Sequence, residues 1–280
     1  MKISLEFNIN KVILITSPRA GEEGIARRLE ENIADVSNGG GNFNFFHARV
    51  YNGDGFFQLL EDIRQGILSG DKPIIYLDFH GAEEKGLELG ASGESIYWET
   101  LIEILRVLNV ELKNELFVLI TACHGLHLIK SISIQKEAPF LCLVAPEQEI
   151  QVVDIEERVP EFFRVLFETK NVQLACKKLG ENFTYLNSGE LCVDPLILHH
   201  KEICGGSGKK AWREDFLTEV IKTGIPNDNI ELSTLRRQIK EIIQPEIKVI
   251  FEKMINHFSM GRLSGVRVDE VIEEIRKNSV

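Results

Sequence analysis

None of the five cysteines in this 280-residue chain pairs with another in a C-x-x-C motif. Cys123, Cys142, Cys176, Cys192 and Cys204 are widely scattered and odd in number. Neither a disulfide framework nor a zinc ribbon is indicated, and a reducing, cytoplasmic location fits. Long hydrophobic runs are lacking too. No apolar stretch approaches the roughly 18 residues of a membrane span. The N-terminus, MKISLEFNINKVILITS, has no signal-peptide core followed by a small-residue cleavage site, and its short β-branched run from Val12 to Ile15 reads as a strand. Basic charge is in deficit, with 32 Lys and Arg against 43 Asp and Glu and a net charge of −11. That balance argues against non-specific binding to nucleic acid, which requires a basic surface. There is no internal repeat and no low-complexity tract. The glycines of SPRAGEEG lack the G-x-x-x-x-G-K-[ST] pattern, and GASGES (Gly90 to Ser95) is not G-x-S-x-G. A phosphate-binding loop and a serine-hydrolase elbow are therefore not indicated.

What the chain does contain is a core. Hydrophobic residues make up 44% of it, enough for one large α/β domain with or without a helical appendage. Lys11 to Thr16, Asn42 to Val50, Pro73 to Phe79, Leu116 to Ala122 and Phe140 to Ala145 read as strands. Most of them are nearly continuous apolar runs, the pattern of strands covered on both faces. Between and after them Glu22 to Val36, Phe56 to Leu68, Ile96 to Leu108, Glu156 to Glu168 and Val172 to Leu179 read as helices, with Ser95 as the N-cap of the third. Strand and helix alternate, so the expected fold class is α/β: three layers, a mostly parallel sheet flanked by helices. Short β-like pieces follow from Phe183 to Cys204. Gly205 to Gly208 is a natural break, and Lys209 to Val280 has an almost wholly helical pattern. Pro245 makes Leu235 to Phe258 either two helices or one kinked helix. The expected organisation is therefore a domain at 1–204 and a helical C-terminal extension at 205–280.

Two short motifs carry chemistry. His80-Gly81 and Ala122-Cys123-His124-Gly125 each follow one of the strongest strands, and Cys123 lies 43 residues after His80. That spacing accommodates one crossover helix, so the two strands can lie side by side and deliver both residues to the same rim. Reactive groups collect at that carboxyl rim of an open parallel sheet. A thiol needs a base beside it, because the thiolate is the nucleophile, and an imidazole can take its proton and later protonate a leaving amine. The N–H groups of Gly81 and Cys123 could hold the oxyanion of a tetrahedral intermediate. The plain alternative is a buried cysteine that packs as a small hydrophobe, with a capping histidine.

FHG after one strand and ITACHG after the next resemble the caspase-like cysteine peptidases of clan CD, most closely the bacterial branch that includes CHAT-type proteases. The resemblance spans roughly residues 10 to 182, including the helix pair EFFRVLFETKNVQLACKKL. It implies a Cys–His dyad of Cys123 and His80, with Gly81 in the oxyanion hole. It implies no obligatory third residue, no cofactor and no metal for the chemistry, although some members are calcium-stimulated. Thr121 stands where animal caspases carry the Gln of Gln-Ala-Cys-x-Gly, which places strict Asp specificity in doubt. Asp78 lies on the side of its strand that His80 shares. It is either a substrate-binding carboxylate for a basic P1 residue or a buried Asp satisfied locally.

The resulting expectation is a cysteine endopeptidase acting on a protein or peptide substrate, with Asp78 and Thr121 in the substrate pocket. No nucleic acid or membrane is involved. Small bacterial relatives often work with a separate sensor or toxin-like partner, commonly in defence against phage. A regulatory protein partner or homo-oligomer is expected on the helices after Gly208. The alternatives are a catalytically silent adaptor that acts by protein binding, and a small-molecule hydrolase using the same dyad. Other signals are weaker. His124 and His127 beside Cys123 are not read as a metal site, since residues three or four apart meet only on a helix and no fourth ligand is evident; His199, His200 and Cys204 form a looser cluster that reads as surface or packing. Cys142 and Cys176 read as structural, and Trp98 and Trp212 as core or interface anchors.

Overall fold

The computed structural model describes residues 8–192 apart from 42, together with 195, 218, 237, 249, 252–262 and 273. The chain divides into two compact units, Met1–Ser188 and Gly189–Val280. In the second unit residues 252–258 are helical, with Ile255 and Phe258 buried. His199, His200, Cys204, the Gly205 to Gly208 break, Trp212 and most of the expected helical extension lie outside the described residues.

The first unit is built on a six-stranded sheet in the order β2-β1-β3-β7-β8-β9. Its strands are β1 (Lys11–Thr16), β2 (Asn44–Arg49), β3 (Pro73–Asp78), β7 (Phe117–Ile120), β8 (Cys142–Pro146) and β9 (Phe183–Asn187). All neighbours pair in parallel except β8 with β9. Helix α1 (Glu23–Val36) joins β1 to β2, α2 (Gly53–Leu68) joins β2 to β3, and α4 (Val152–Thr169) with α5 (Val172–Leu179) joins β8 to β9. The fold is thus three-layered α/β with a mostly parallel sheet, as expected.

Strand alternation explains the layers, because residues two apart share a face. Val12, Leu14, Ile74, Tyr76, Phe117 and Leu119 form one cluster with Leu29 and Ile33 of α1 and with Val159, Phe162 and Phe163 of α4. The intervening strand residues Ile13, Ile15, Ile75, Leu77, Val118 and Ile120 point to the other face and are equally buried. That face is covered by α2, which buries Phe56, Leu60, Ile63 and Ile67. It is also covered by α3 (Trp98–Glu111), which buries Leu101, Ile102, Leu105 and Leu108.

The region between β3 and α3 departs from the sequence reading. There the chain forms a small antiparallel sheet of β4 (His80–Ala82), β5 (Gly86–Glu88) and β6 (Ser95–Ile96). Ser95 is therefore a strand residue. The N-cap of α3 is Tyr97, which makes no side-chain cap bond. Two and three residues are too few for hydrophobic periodicity to reveal a strand. The small sheet is fastened to the loop after β1. Gly90 N–H donates to Ser17 O at 3.1 Å, and Arg19 grips Glu88 through Nε–Oε1 at 2.9 Å and Nη2–Oε2 at 2.7 Å. Trp98 is a core residue, 4% exposed, and its indole N–H donates to Glu83 O at 3.0 Å.

Candidate functional site

The chain runs from β1 to β2 on one side of the sheet and then places β3 on the other side of β1. That is the switch point at which open α/β sheets bind ligands. A cavity opens there on the α1/α4 face. It is lined by Thr16 and Ser17 at the end of β1, by Asp78, Phe79 and His80 where β3 passes into β4, and by Thr121 and Cys123 after β7. Glu22 at the start of α1 and Glu156 of α4 complete its polar lining; Ile25, Leu29, Ile150 and Ile155 are among its apolar walls. The two motifs singled out in the sequence, 43 residues apart, thus border one cavity.

Backbone contact shows how closely they meet. A Cβ placed on Gly81 would lie 2.2 Å from the carbonyl oxygen of Cys123 and 3.1 Å from its nitrogen. Only glycine leaves room for this approach of β4 to the loop after β7. Gly81→Ala should therefore destabilise the fold by about 1–3 kcal/mol, because the clash is with backbone that cannot rotate away. A urea unfolding midpoint unchanged from wild type would show that the two segments do not touch in this way.

The loop after β7 is wound tightly. His124 adopts a left-handed conformation (φ 58°), and Gly125 N–H turns back to Ala122 O at 3.1 Å. His124 N–H donates to Gln148 O at 3.3 Å. The Cys123 N–H has no such carbonyl partner among the described residues. Cys123 itself is half-exposed. Cys142, Cys176 and Cys192 are buried. Burial pushes the Cys176 thiol up to about 12 and the Cys192 thiol up to about 11, values at which no thiolate forms near neutral pH.

His80 is held by a residue that the sequence reading did not single out. Its Nε2 lies 2.9 Å from Oε2 of Glu22, with both side chains about one-third exposed. Burial pushes the Glu22 carboxyl up. The hydrogen bond with His80, that from the Arg19 backbone, and the charges of both residues outweigh this and leave it below its ordinary range. An ionised Glu22 accepts a hydrogen bond from Nε2–H and leaves Nδ1 as the basic nitrogen of the ring. Glu22 sits in SPRAGEEG at the carboxyl end of β1, beside β3. The rule that placed His80 and Cys123 on the rim applied to this loop as well.

Asp78 and Thr121 form the polar floor. Thr121 Oγ1 donates to Asp78 Oδ1 at 2.7 Å and lies 3.2 Å from the Tyr76 hydroxyl. With the Thr121 hydrogen on the carboxylate, Tyr76 supplies the hydrogen of the second contact. Burial pushes the Asp78 carboxyl up to about 6, against the pull of Thr121 and of the His80 charge. Glu22 and Glu156 nearby raise it further. Glu156 is already engaged, with Arg28 Nη2 at 2.8 Å. Among the described residues no lysine or arginine pairs with Asp78, whose one side-chain hydrogen bond is that from Thr121; His80 is the one cationic group that acts on it, through its charge.

No protein family matches the chain, and no curated protein matches it. Among solved structures it is similar to the Drosophila initiator caspase Dronc, at 15% sequence identity and a TM-score of 0.46; the match covers 66% of this chain and 82% of that one. Among the described residues no helix is long and apolar enough to cross a membrane.

Proposed function

We propose that this chain is a caspase-like cysteine endopeptidase that cleaves proteins after a basic residue. Cys123 is the nucleophile and His80 its acid/base partner. His80 takes the thiol proton and the sulfur attacks the scissile carbonyl. The N–H groups of Gly81 and Cys123 hold the resulting oxyanion, and His80 then protonates the departing amine. A thioester to Cys123 remains, which water hydrolyses to release the acyl product and the free thiol. The observation that carries this reading is the shared cavity: an accessible thiol and an imidazole at its mouth, apolar walls, and the Asp78 carboxylate at its floor. A lysine or arginine side chain matches that gradient, with its methylene stem against Ile25, Leu29 and Ile155 and its charge on Asp78.

The experiment is covalent labelling by peptidyl ketones carrying basic, acidic or apolar P1 groups, read as intact mass. One adduct, favoured by a basic P1 and absent from Cys123→Ala, is the expected result. An adduct favoured by an acidic P1 would keep the nucleophile and discard the pocket. Labelling that persists in Cys123→Ala, or fails with every probe, would leave a protein-binding role instead.

Within this reading Glu22 is a positioning residue. Glu22→Gln should slow labelling by up to about a hundredfold through loss of ring orientation. It should also change the pH profile of labelling, because the ionisation of Glu22, held below the ordinary carboxylate range, no longer contributes to it. A slowed rate with an unchanged pH profile would reduce Glu22 to a packing role.

A further inference from the structure

We infer that Glu83, His124 and His127 form a binding site for a divalent transition-metal ion of the zinc class. The inference stands apart from the peptidase reading, since it uses none of that reading's reacting groups. One ligand atom from each of the three side chains lies within 4.8 Å of the others, and no other group of this kind is found among the described residues. Two imidazoles and a carboxylate are a borderline nitrogen and oxygen donor set, which suits zinc, cobalt or nickel better than calcium or magnesium.

The distances fit an ion. Bonds of about 2.0–2.2 Å in tetrahedral geometry hold neighbouring ligand atoms roughly 3.4 Å apart. Glu83 Oε1 already lies 3.3 Å from His127 Nε2. The rings of His124 and His127 meet edge to face with centroids 5.9 Å apart. Local backbone produces this pairing. His124 caps a 3-10 helix (Gly125–Ser131), in which residues three apart eclipse one another on one side. The sequence reading finds no helix here and no ligand beyond Cys123 and the two histidines; the structure supplies a 3-10 turn and Glu83.

Two of the three ligand residues are anchored through their backbone. The Glu83 carbonyl accepts from the buried Trp98 indole at 3.0 Å, and the backbone N–H of His124 donates to Gln148 O at 3.3 Å. The His127 side chain is 19% exposed and that of Glu83 59%, so the site is open to solvent on the carboxylate side. Lys130 Nζ lies 3.4 Å from both ring nitrogens of His127 and competes with a cation there. A bound ion would clip the segment after β4 to the loop after Cys123, joining the two stretches of chain that Gly81 already brings into contact.

The test uses untagged, full-length protein and the metal alone. Titration with Co²⁺ should give the visible bands of a four- or five-coordinate site, saturably, and Zn²⁺ should displace them. The bands should persist in Cys123→Ala and in a His199→Ala/His200→Ala variant. His127→Ala and Glu83→Gln should weaken binding by about tenfold or more. Glu83 is an exposed side chain, so its variant stays folded. Zn²⁺ should raise the unfolding temperature of wild type and not of Glu83→Gln. No bands in wild type, undiminished affinity in Glu83→Gln and His127→Ala, or loss in Cys123→Ala would each overturn the assignment.

Discussion

Cys123→Ala is expected to abolish labelling by every ketone probe, and His80→Ala to slow it by about 10²–10⁴-fold at neutral pH. The first effect is complete because a methyl group has no electron pair with which to attack the probe. The second is partial because solvent still supplies some thiolate, and the fraction grows with pH. The His80→Ala deficit should therefore shrink as pH rises toward the ordinary cysteine range. Cys142, Cys176 and Cys192 cannot substitute, since all three are buried. Intact mass against time, at several pH values, checks both variants. A His80→Ala rate equal to wild type at pH 7 would remove the histidine from the chemistry while leaving Cys123 as a merely accessible thiol.

Asp78→Asn should have the second-largest effect, and it acts in two directions. A charge-assisted hydrogen bond to a basic P1 group contributes about 1.5–3 kcal/mol, so loss of the carboxylate should cut the preference for basic over apolar probes by about ten- to hundredfold. Wild type should lose the same preference as pH falls through about 6, where the Asp78 carboxyl takes up its proton. The variant's ratio should not change with pH. Stability should move the opposite way. The folded-state value lies above the ordinary 3.8, so the folded protein binds the extra proton between those values. Its stability then falls as pH rises through that window. At pH 7.5 the buried charge costs up to about 3 kcal/mol. Asp78→Asn relieves that cost at pH 7.5 and gives no gain near pH 3.5. Urea unfolding at the two pH values, beside the probe ratios, separates a functional carboxylate from one retained for packing. A variant that keeps the basic preference would sink the pocket assignment.

Both predictions rest on residues that could be found without a structure, and it is instructive which others could not. His80, Cys123 and Asp78 lie at the ends of long apolar strands, whose period and length mark them in the text. Glu22 belongs to a polar loop with no pattern of its own, and it joins His80 only because β1 and β3 are neighbours. The β4–β6 sheet was missed because its strands are two or three residues long. Glu83 was missed with it, since a carboxylate in an exposed turn carries no signal until its partners are known.

By itself the sequence determined the order of the main strands and helices, the α/β class with a parallel sheet, and the two strand ends at which a thiol and an imidazole emerge. Alternating hydrophobicity and the obligatory pairing of buried backbone groups suffice for that, because both are local. Tertiary structure alone decided which loops share the rim. It set Glu22 against His80, closed Gly81 onto Cys123, put Thr121 on Asp78, and drew Glu83 to His124 and His127. Those contacts join residues far apart in the chain. Their distances follow from strand order and the turns of short loops, and neither leaves a periodic trace in the sequence.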